Sequence, residues 1–296
     1  MPAPSPERDQ LAKLRAEVDE IAFVGGEPTL DAGLVDWVRA AKEARFSRIG
    51  LQTHGRHLAG DDLVAQLAAA GLTDVHFSLH GATALLHDHE VQVPGAFGQV
   101  LHGLEAARSL GLVTVVTSVV TRSSFRHLGA LPKLLSAAGA SAWSMRIAQA
   151  AGRAATSFDR VVPRLGLAMP FVLHALDDAE RRGLPTFLAG VPACLAGPFA
   201  ARLLPEPGRA FAAVCDRCPA RPSCPGVEPL YLRRFSGDEL RARGSWRPAR
   251  DLERDLLGRM FTGVGETAPG SPPAHLGGSL DTAGPVPLAT GNRLAP

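Results

Sequence analysis

Between Asp19 and about Ala148 the chain repeats one unit: a short apolar or β-branched run, a polar turn containing Gly, then an amphipathic stretch. That rhythm predicts strands separated by helices. Strands read near 20–26 (EIAFVGG), 48–54 (RIGLQTH), 74–81 (DVHFSLHG), 114–120 (TVVTSVV) and 141–148 (SAWSMRIA), with a further one within 184–192. Helices read near 31–45, 61–70, 95–110, 124–138 and 163–182. Strands this continuously apolar belong to a parallel sheet covered by helices, and crossovers of this length close a full or partial (β/α) barrel. Ligands then gather where the strands end. Gly25-Gly26-Glu27-Pro28, Thr53-His54-Gly55 and Ser78-Leu79-His80-Gly81 all fall at such ends and share one rim.

The first of these turns carries the sharpest chemistry. Gly25 and Gly26 let the backbone turn and approach a small molecule, and Pro28 fixes the chain just after Glu27, which is expected to stand exposed. A carboxylate in that position suits an ammonium group. The plain alternative is a strand-to-helix turn whose glycines serve only the turn.

Composition narrows the classes. A 296-residue chain with 46% hydrophobic residues can build a sizeable core. Charged residues are 20% of the total, the net charge is +2, and there are one Tyr and three Trp, which argues against a nucleic-acid groove. No apolar run approaches the roughly eighteen residues of a membrane span, and MPAPSPERDQ lacks the order of a signal peptide. A cytoplasmic protein is expected, with no nucleic-acid or membrane partner.

The cysteines Cys194, Cys215, Cys218 and Cys224 all fall in a Pro- and Arg-rich segment of low periodicity. In a reducing compartment they favour metal ligation over disulfides. Four thiolates fill either a tetrahedral zinc site or a cubane iron–sulfur cluster, and spacing alone does not separate the two.

Taken in order, GGEP, T-H-G, S-L-H-G-A with His87-Asp88, and P-G-A-F at 94–97 resemble the radical SAM superfamily over roughly residues 15–235. The resemblance implies a partial (β/α)6 TIM-like barrel. It implies that Gly25, Gly26, Glu27 and Pro28 bind the amino group of S-adenosylmethionine, that Thr53 and Gly55 stand for the T-N-G turn, and that Ser78 approaches the ribose. His54 replaces the Asn of that turn. Ser118 is a weaker candidate for the methionine or ribose portion, and AQAAGRA at 148–154 is similar to the P-x-G stretch after the sixth strand. The CxxC-plus-Cys pattern is similar to an auxiliary [4Fe-4S] extension of the SPASM or twitch kind, with zinc as the alternative.

The departure is the cysteine triad CxxxCxxC, which the family places after its first strand to hold the cluster that S-adenosylmethionine chelates; this chain has none. Two explanations are weighed, a chain cut short or started late and a member that has lost the cluster. The intact GGEP and T-x-G ends favour the first, as does the unpaired edge that a barrel without its opening strand would expose. The expected organisation is a barrel missing its first strand over 1–192, a loop-rich Cys extension over 193–246, and over 247–296 a helix, DLERDLLGRMF, then a disordered tail from 263. The expected function is S-adenosylmethionine-dependent radical chemistry on a peptide or small metabolite in the complete enzyme, with a reductant protein as partner and this chain inactive alone. Its rival is a non-catalytic barrel that binds a peptide or partner and keeps one structural Fe–S or zinc site. A metal-dependent hydrolase using His54, His76, His80, His87 and His89 is set aside because Glu27 is almost the only acid on the rim. His87, Asp88 and His89 are expected on a loop crossing the barrel mouth.

Overall fold

The structure, a computed structural model, describes residues 6–150, 153–204, 206, 209–244, 260–261 and 286–293. Helix α1 (Pro6–Arg15) leads into β1 (Val18–Val24), and the alternation continues through α2 (Leu34–Glu43), β2 (Arg48–Thr53), α3 (Asp61–Ala70) and β3 (Asp74–Ser78). Then come α4 (Ala84–Val91), α5 (Ala96–Ser109), β4 (Val113–Val120), α6 (Leu131–Ala138) and β5 (Ala142–Ile147). Two single turns, α7 (Arg153–Thr156) and α8 (Phe158–Val161), precede α9 (Leu165–Arg181) and β6 (Thr186–Ala189). Helix α10 (Pro229–Phe235) follows the cysteine segment, and β7 (Val286–Arg293) is the last described element.

The sheet order is β6-β5-β4-β3-β2-β1-β7. Six strands are parallel and form the half-barrel. The seventh, β7, runs antiparallel along β1, from Val18 opposite Arg293 to Val24 opposite Val286. Successive strands bury alternate residues on two faces. Ile21, Phe23, Ile49, Leu51, Val75, Phe77, Val116, Trp143, Met145 and Leu188 join the main core with the helices. Val115, Ala142, Phe187 and Ala189 pack instead with Leu204, Met260 and Phe261 in a second, smaller cluster on the concave face. Because both faces are covered, the strands read as continuous apolar runs.

The helices stop where the chain takes left-handed turns, at Gly71 (φ 116°) after α3 and Gly139 (φ 74°) after α6, which glycine adopts without a Cβ clash. Helix α4 was expected to be a loop. The Thr83 side chain accepts from the Leu86 N–H at its start, and the Asp88 carboxylate accepts from the Gly95 N–H at 2.6 Å and the Phe97 N–H at 2.8 Å, holding the entry to α5. Capping by Thr83 favours the helix despite its weak amphipathicity, while Asp88 caps the helix that follows.

The cysteine segment does not form a core of its own: Val227, Tyr231 and Leu240 belong to the main core, and Cys194, Cys215 and Cys224 pack against it. Within the stretch from 263 onward, expected to lack order, Val286–Arg293 forms β7, because the edge of β1 offers unpaired N–H and C=O groups to any strand that reaches it. Of the expected helix DLERDLLGRMF only Met260 and Phe261 are among the described residues, and 262–285 and 294–296 lie outside them.

Candidate functional site

The chain turns sharply after β1. Gly25 (φ 147°) and Gly26 are exposed, and a Cβ placed on Gly26 would meet nothing within 4 Å. Glu27 departs from the sequence reading, since its side chain is only 7% exposed and turns back into the rim. One carboxylate oxygen accepts from the Thr29 N–H (3.2 Å), the Thr29 hydroxyl (2.5 Å) and the Thr53 hydroxyl (2.5 Å); the other accepts from the His54 N–H (2.9 Å). Burial opposes its charge, yet these hydrogen bonds, with the His54 charge, outweigh burial and hold the carboxyl below its ordinary value. Glu27 therefore staples the β1 turn to the β2 turn. The open surface of GGEP is its glycine backbone, while Pro28 is buried at the head of a 3-10 turn.

Thr53 is buried, and its hydroxyl also accepts from the Gly55 N–H at 2.9 Å. His54 Nδ1 accepts from the Arg56 N–H at 3.2 Å, so its lone pair is committed and the ring proton sits on Nε2. The 3.4 Å approach of Nδ1 to Glu27 is accordingly no hydrogen bond. Burial first, then the Arg56 and His57 charges, lower the His54 pKa against the pull of Glu27. Gly55 (φ 77°) sits where a Cβ would strike the Phe77 ring at 2.5 Å.

Below the rim, the concave face holds a cavity of about 160 Å³ lined by Gln52, His76, Ser78, Thr117, Arg146 and Phe261. Ser78, expected from the resemblance to approach a ribose, lines this cavity. Ser118 does not: its hydroxyl is fully buried on the opposite face, donates to the Leu79 carbonyl and accepts from the Trp143 indole N–H at 2.9 Å. Its neighbour Thr117, paired in register with Ser78, takes the cavity side. Gln52, Thr117 and Arg146 were missed by the sequence reading, although alternation counted outward from Ser78 would have found them. Arg146 also reaches Glu206 at 3.1 Å, and Gln149 donates to the same oxygen at 3.0 Å.

The cavity floor is charged. Arg48 bonds Glu20 at 3.2 Å and Asp74 at 2.8 Å, and His76 Nε2 lies 3.0 Å from the same Asp74 oxygen; all four side chains are buried. Gly50 makes room for this network, since a Cβ there would lie 2.6 Å from Asp74 Oδ2 and 2.9 Å from Arg48 Nη1.

The other histidines are occupied structurally. Val119 N–H donates to His80 Nδ1 at 3.1 Å and His80 N–H to His87 Nδ1 at 3.1 Å, while His89 is exposed on α4. His87, Asp88 and His89 thus ride a helix, not a loop over the mouth.

Cys194, Cys215, Cys218 and Cys224 line one pocket with Pro192, Phe211 and Leu240, and none is in a disulfide. Ala193 and Gly226 N–H groups point at Cys224 Sγ (3.3 and 3.4 Å), and the Arg243 N–H points at Cys218 Sγ (3.3 Å). Backbone bonds from Arg241 and Ala212 reach Cys194 and Cys215, where burial, aided by the neighbouring cysteines, still raises both thiol pKa values. Among the described residues no group of three or more His, Cys, Asp or Glu side chains, the four cysteines included, is drawn together closely enough to hold a metal ion. Four soft donors, backbone N–H groups aimed at sulfur and an apolar wall fit a thiolate-held iron–sulfur cluster or zinc.

A family model described as the radical SAM superfamily matches residues 7–125. An AdoMet-dependent heme synthase of Oleidesulfovibrio alaskensis is 33% identical over 135 residues, 46% of this chain and 34% of that protein. A probable GTP 3',8-cyclase of Saccharolobus solfataricus is 34% identical over 112 residues, 37% of this chain and 35% of that protein. The matches thus span about a third of these relatives. Streptococcus suis SuiB bound to S-adenosylmethionine superposes with a TM-score of 0.51 at 17% identity, covering 71% of this chain and 48% of that one. SuiB bound to the precursor peptide SuiA gives 0.51 at 16%, covering 63% and 43%. At such identity the likeness is one of fold.

Proposed function

The chain belongs to the radical SAM superfamily, and from that premise we propose that its half-barrel binds S-adenosylmethionine at the GGEP rim and a peptide or small metabolite in the cavity beneath. The observation that carries this reading is the exposed Gly25-Gly26 backbone with open space at Gly26, beside a polar cavity that Ser78 and Thr117 line. The glycine carbonyls receive the cofactor's ammonium group. Glu27 holds that backbone in place from behind, and Ser78 and Thr117 offer hydroxyls to a ribose. Cys194, Cys215, Cys218 and Cys224 hold an auxiliary [4Fe-4S] cluster, with zinc as the alternative. SuiB, crystallised with its precursor peptide, supports a peptide substrate; the heme synthase and cyclase relatives support a small metabolite.

No cysteine precedes Cys194 in the 296 residues. The residues present therefore do not fit the three-thiolate cluster that the resemblance implies beside GGEP. The rival reading is a barrel that binds a peptide or partner without radical chemistry and keeps one structural Fe–S or zinc site. In the family, cofactor and cluster together supply a radical that takes a hydrogen atom from substrate; this chain's residues bind, orient and exclude water.

Gly26→Val tests the rim. The site has space for the side chain and an unstrained backbone, so thermal stability should stay unchanged while calorimetry records at least a tenfold loss of S-adenosylmethionine affinity. Equal binding by both chains sinks the assignment.

A further inference from the structure

His76 stands apart from the other histidines near the rim. The Nδ1 lone pairs of His54, His80 and His87 are each committed to a backbone N–H. His76 is held from the other side: its Nε2 lies 3.0 Å from Asp74 Oδ2. Burial works against the Asp74 charge, but the His76 hydrogen bond, the Arg48 guanidinium and the Thr73 hydroxyl outweigh it and keep the carboxyl low and ionised. An ionised acceptor requires a donor, so the His76 ring carries its proton on Nε2. In the neutral ring this leaves Nδ1 as a bare lone pair. It has no hydrogen-bond partner among the described residues, and it is not one of the buried orphan atoms, so it opens into the cavity that His76 lines. An imidazole fixed by a carboxylate at one nitrogen and free at the other is the geometry of a general base.

We propose that His76 is the proton acceptor of the half-barrel cavity, taking a proton from an N–H, O–H or activated C–H of the substrate bound there; this rests on the reading of the half-barrel as a ligand site. The substrate X–H bond breaks, its electron pair stays on X, and the proton forms an N–H bond at Nδ1. The imidazolium is then paired with Asp74, which stays charged. The charged groups near the ring are Asp74 on its own strand, Arg48 on the adjacent β2, Glu20 beyond it on β1 and Arg146 across the cavity on β5. The Phe261 ring packs edge-on at 5.9 Å and shields the imidazole on one side.

The test uses the chain with 15N-labelled histidine and long-range proton–nitrogen NMR, His76 being assigned by the loss of its signals in His76→Gln or, if that variant does not fold, His76→Asn. The expected result at neutral pH is an Nε2–H tautomer with an unprotonated Nδ1, changing to a tautomer mixture in Asp74→Asn. Diethyl pyrocarbonate, which acylates an unprotonated imidazole nitrogen, should modify His76 in the folded chain within about tenfold of the rate of the exposed His102. An Nδ1–H tautomer, or a His76 left unmodified while His102 reacts fully, overturns the proposal. Calorimetry with S-adenosylmethionine is the separate arm. If the cofactor fails to bind while the tautomer and reactivity are as expected, the cofactor reading falls and the proton acceptor stands for another ligand of this cavity.

Discussion

Replacing Glu27 by Gln separates a clamp from a staple. In the structure the carboxylate accepts four hydrogen bonds, three at one oxygen and one at the other, and its side chain is 7% exposed. The amide keeps one oxygen, which can serve Thr29 and Thr53, but then presents N–H to the His54 N–H. A buried donor left facing a donor costs about 1–3 kcal/mol, and each remaining bond loses the charge that roughly doubles its strength. Allowing for water at the rim, the loss should be about 2–4 kcal/mol. That corresponds to roughly 5–15 °C in melting temperature for a domain of this size. Urea denaturation should show a lower midpoint at an unchanged slope. The effect should also vanish in acid. The folded pKa of Glu27 is lowered, so its contribution is complete above the unfolded carboxylate value and disappears as pH falls through the folded one; parent and variant should converge there. An unchanged melting temperature together with a tenfold loss of S-adenosylmethionine affinity would refute the reasoning and return Glu27 to the role of a free clamp.

Gly50→Ala should cost 3 kcal/mol or so, because its Cβ would drive apart the buried Arg48–Asp74 pair; chemical denaturation measures it, and a loss below ~1 kcal/mol means the floor yields freely. Burial, reinforced by the His87 charge, pushes His80 down to about 4. The unfolded chain therefore takes up a proton there near pH 6.5 while the folded chain does not. Stability should fall by about 1–2 kcal/mol between pH 6.5 and 4, discounted for partial exposure, and a His80→Gln variant with the same slope would exclude this cause. Anaerobic reconstitution should give about four irons with sulfide per chain, and Cys218→Ala should lose most of the metal. One zinc without sulfide would reject the iron assignment and keep the ligands.

The parallel half-barrel was legible because both of its faces are covered, so five strands announced themselves as apolar runs between glycine turns, and the sixth followed them. Face assignment was harder. Ser118 and Thr117 differ by one position, and in a strand buried on both sides both positions are occupied by small side chains, so polarity alone did not say which points at the ligand. Glu27 was legible as important but not as inward-facing, because its donors Thr53 and His54 come from another strand end. Helix α4 went unread because its stripe is weak and its cap comes from a single side chain. The charged floor escaped notice because Glu20, Arg48 and Asp74 lie far apart in sequence and meet only when β1, β2 and β3 are laid side by side.

The antiparallel strand on β1 bears on how the chain is made. Val24 and Val286 are register partners, about 260 residues apart. At roughly 5–20 residues per second of synthesis, β1 leaves the ribosome about 13 to 50 s before its outer neighbour exists. The helices and inner strands, whose contacts are with near neighbours in sequence, can assemble during that interval, whereas the outermost ladder closes only once residues 286–293 have been made. In the nascent chain β1 is an open template for any extended segment nearby. Amide exchange should accordingly find the β1–β7 ladder the first part of the sheet to open and the last to become protected.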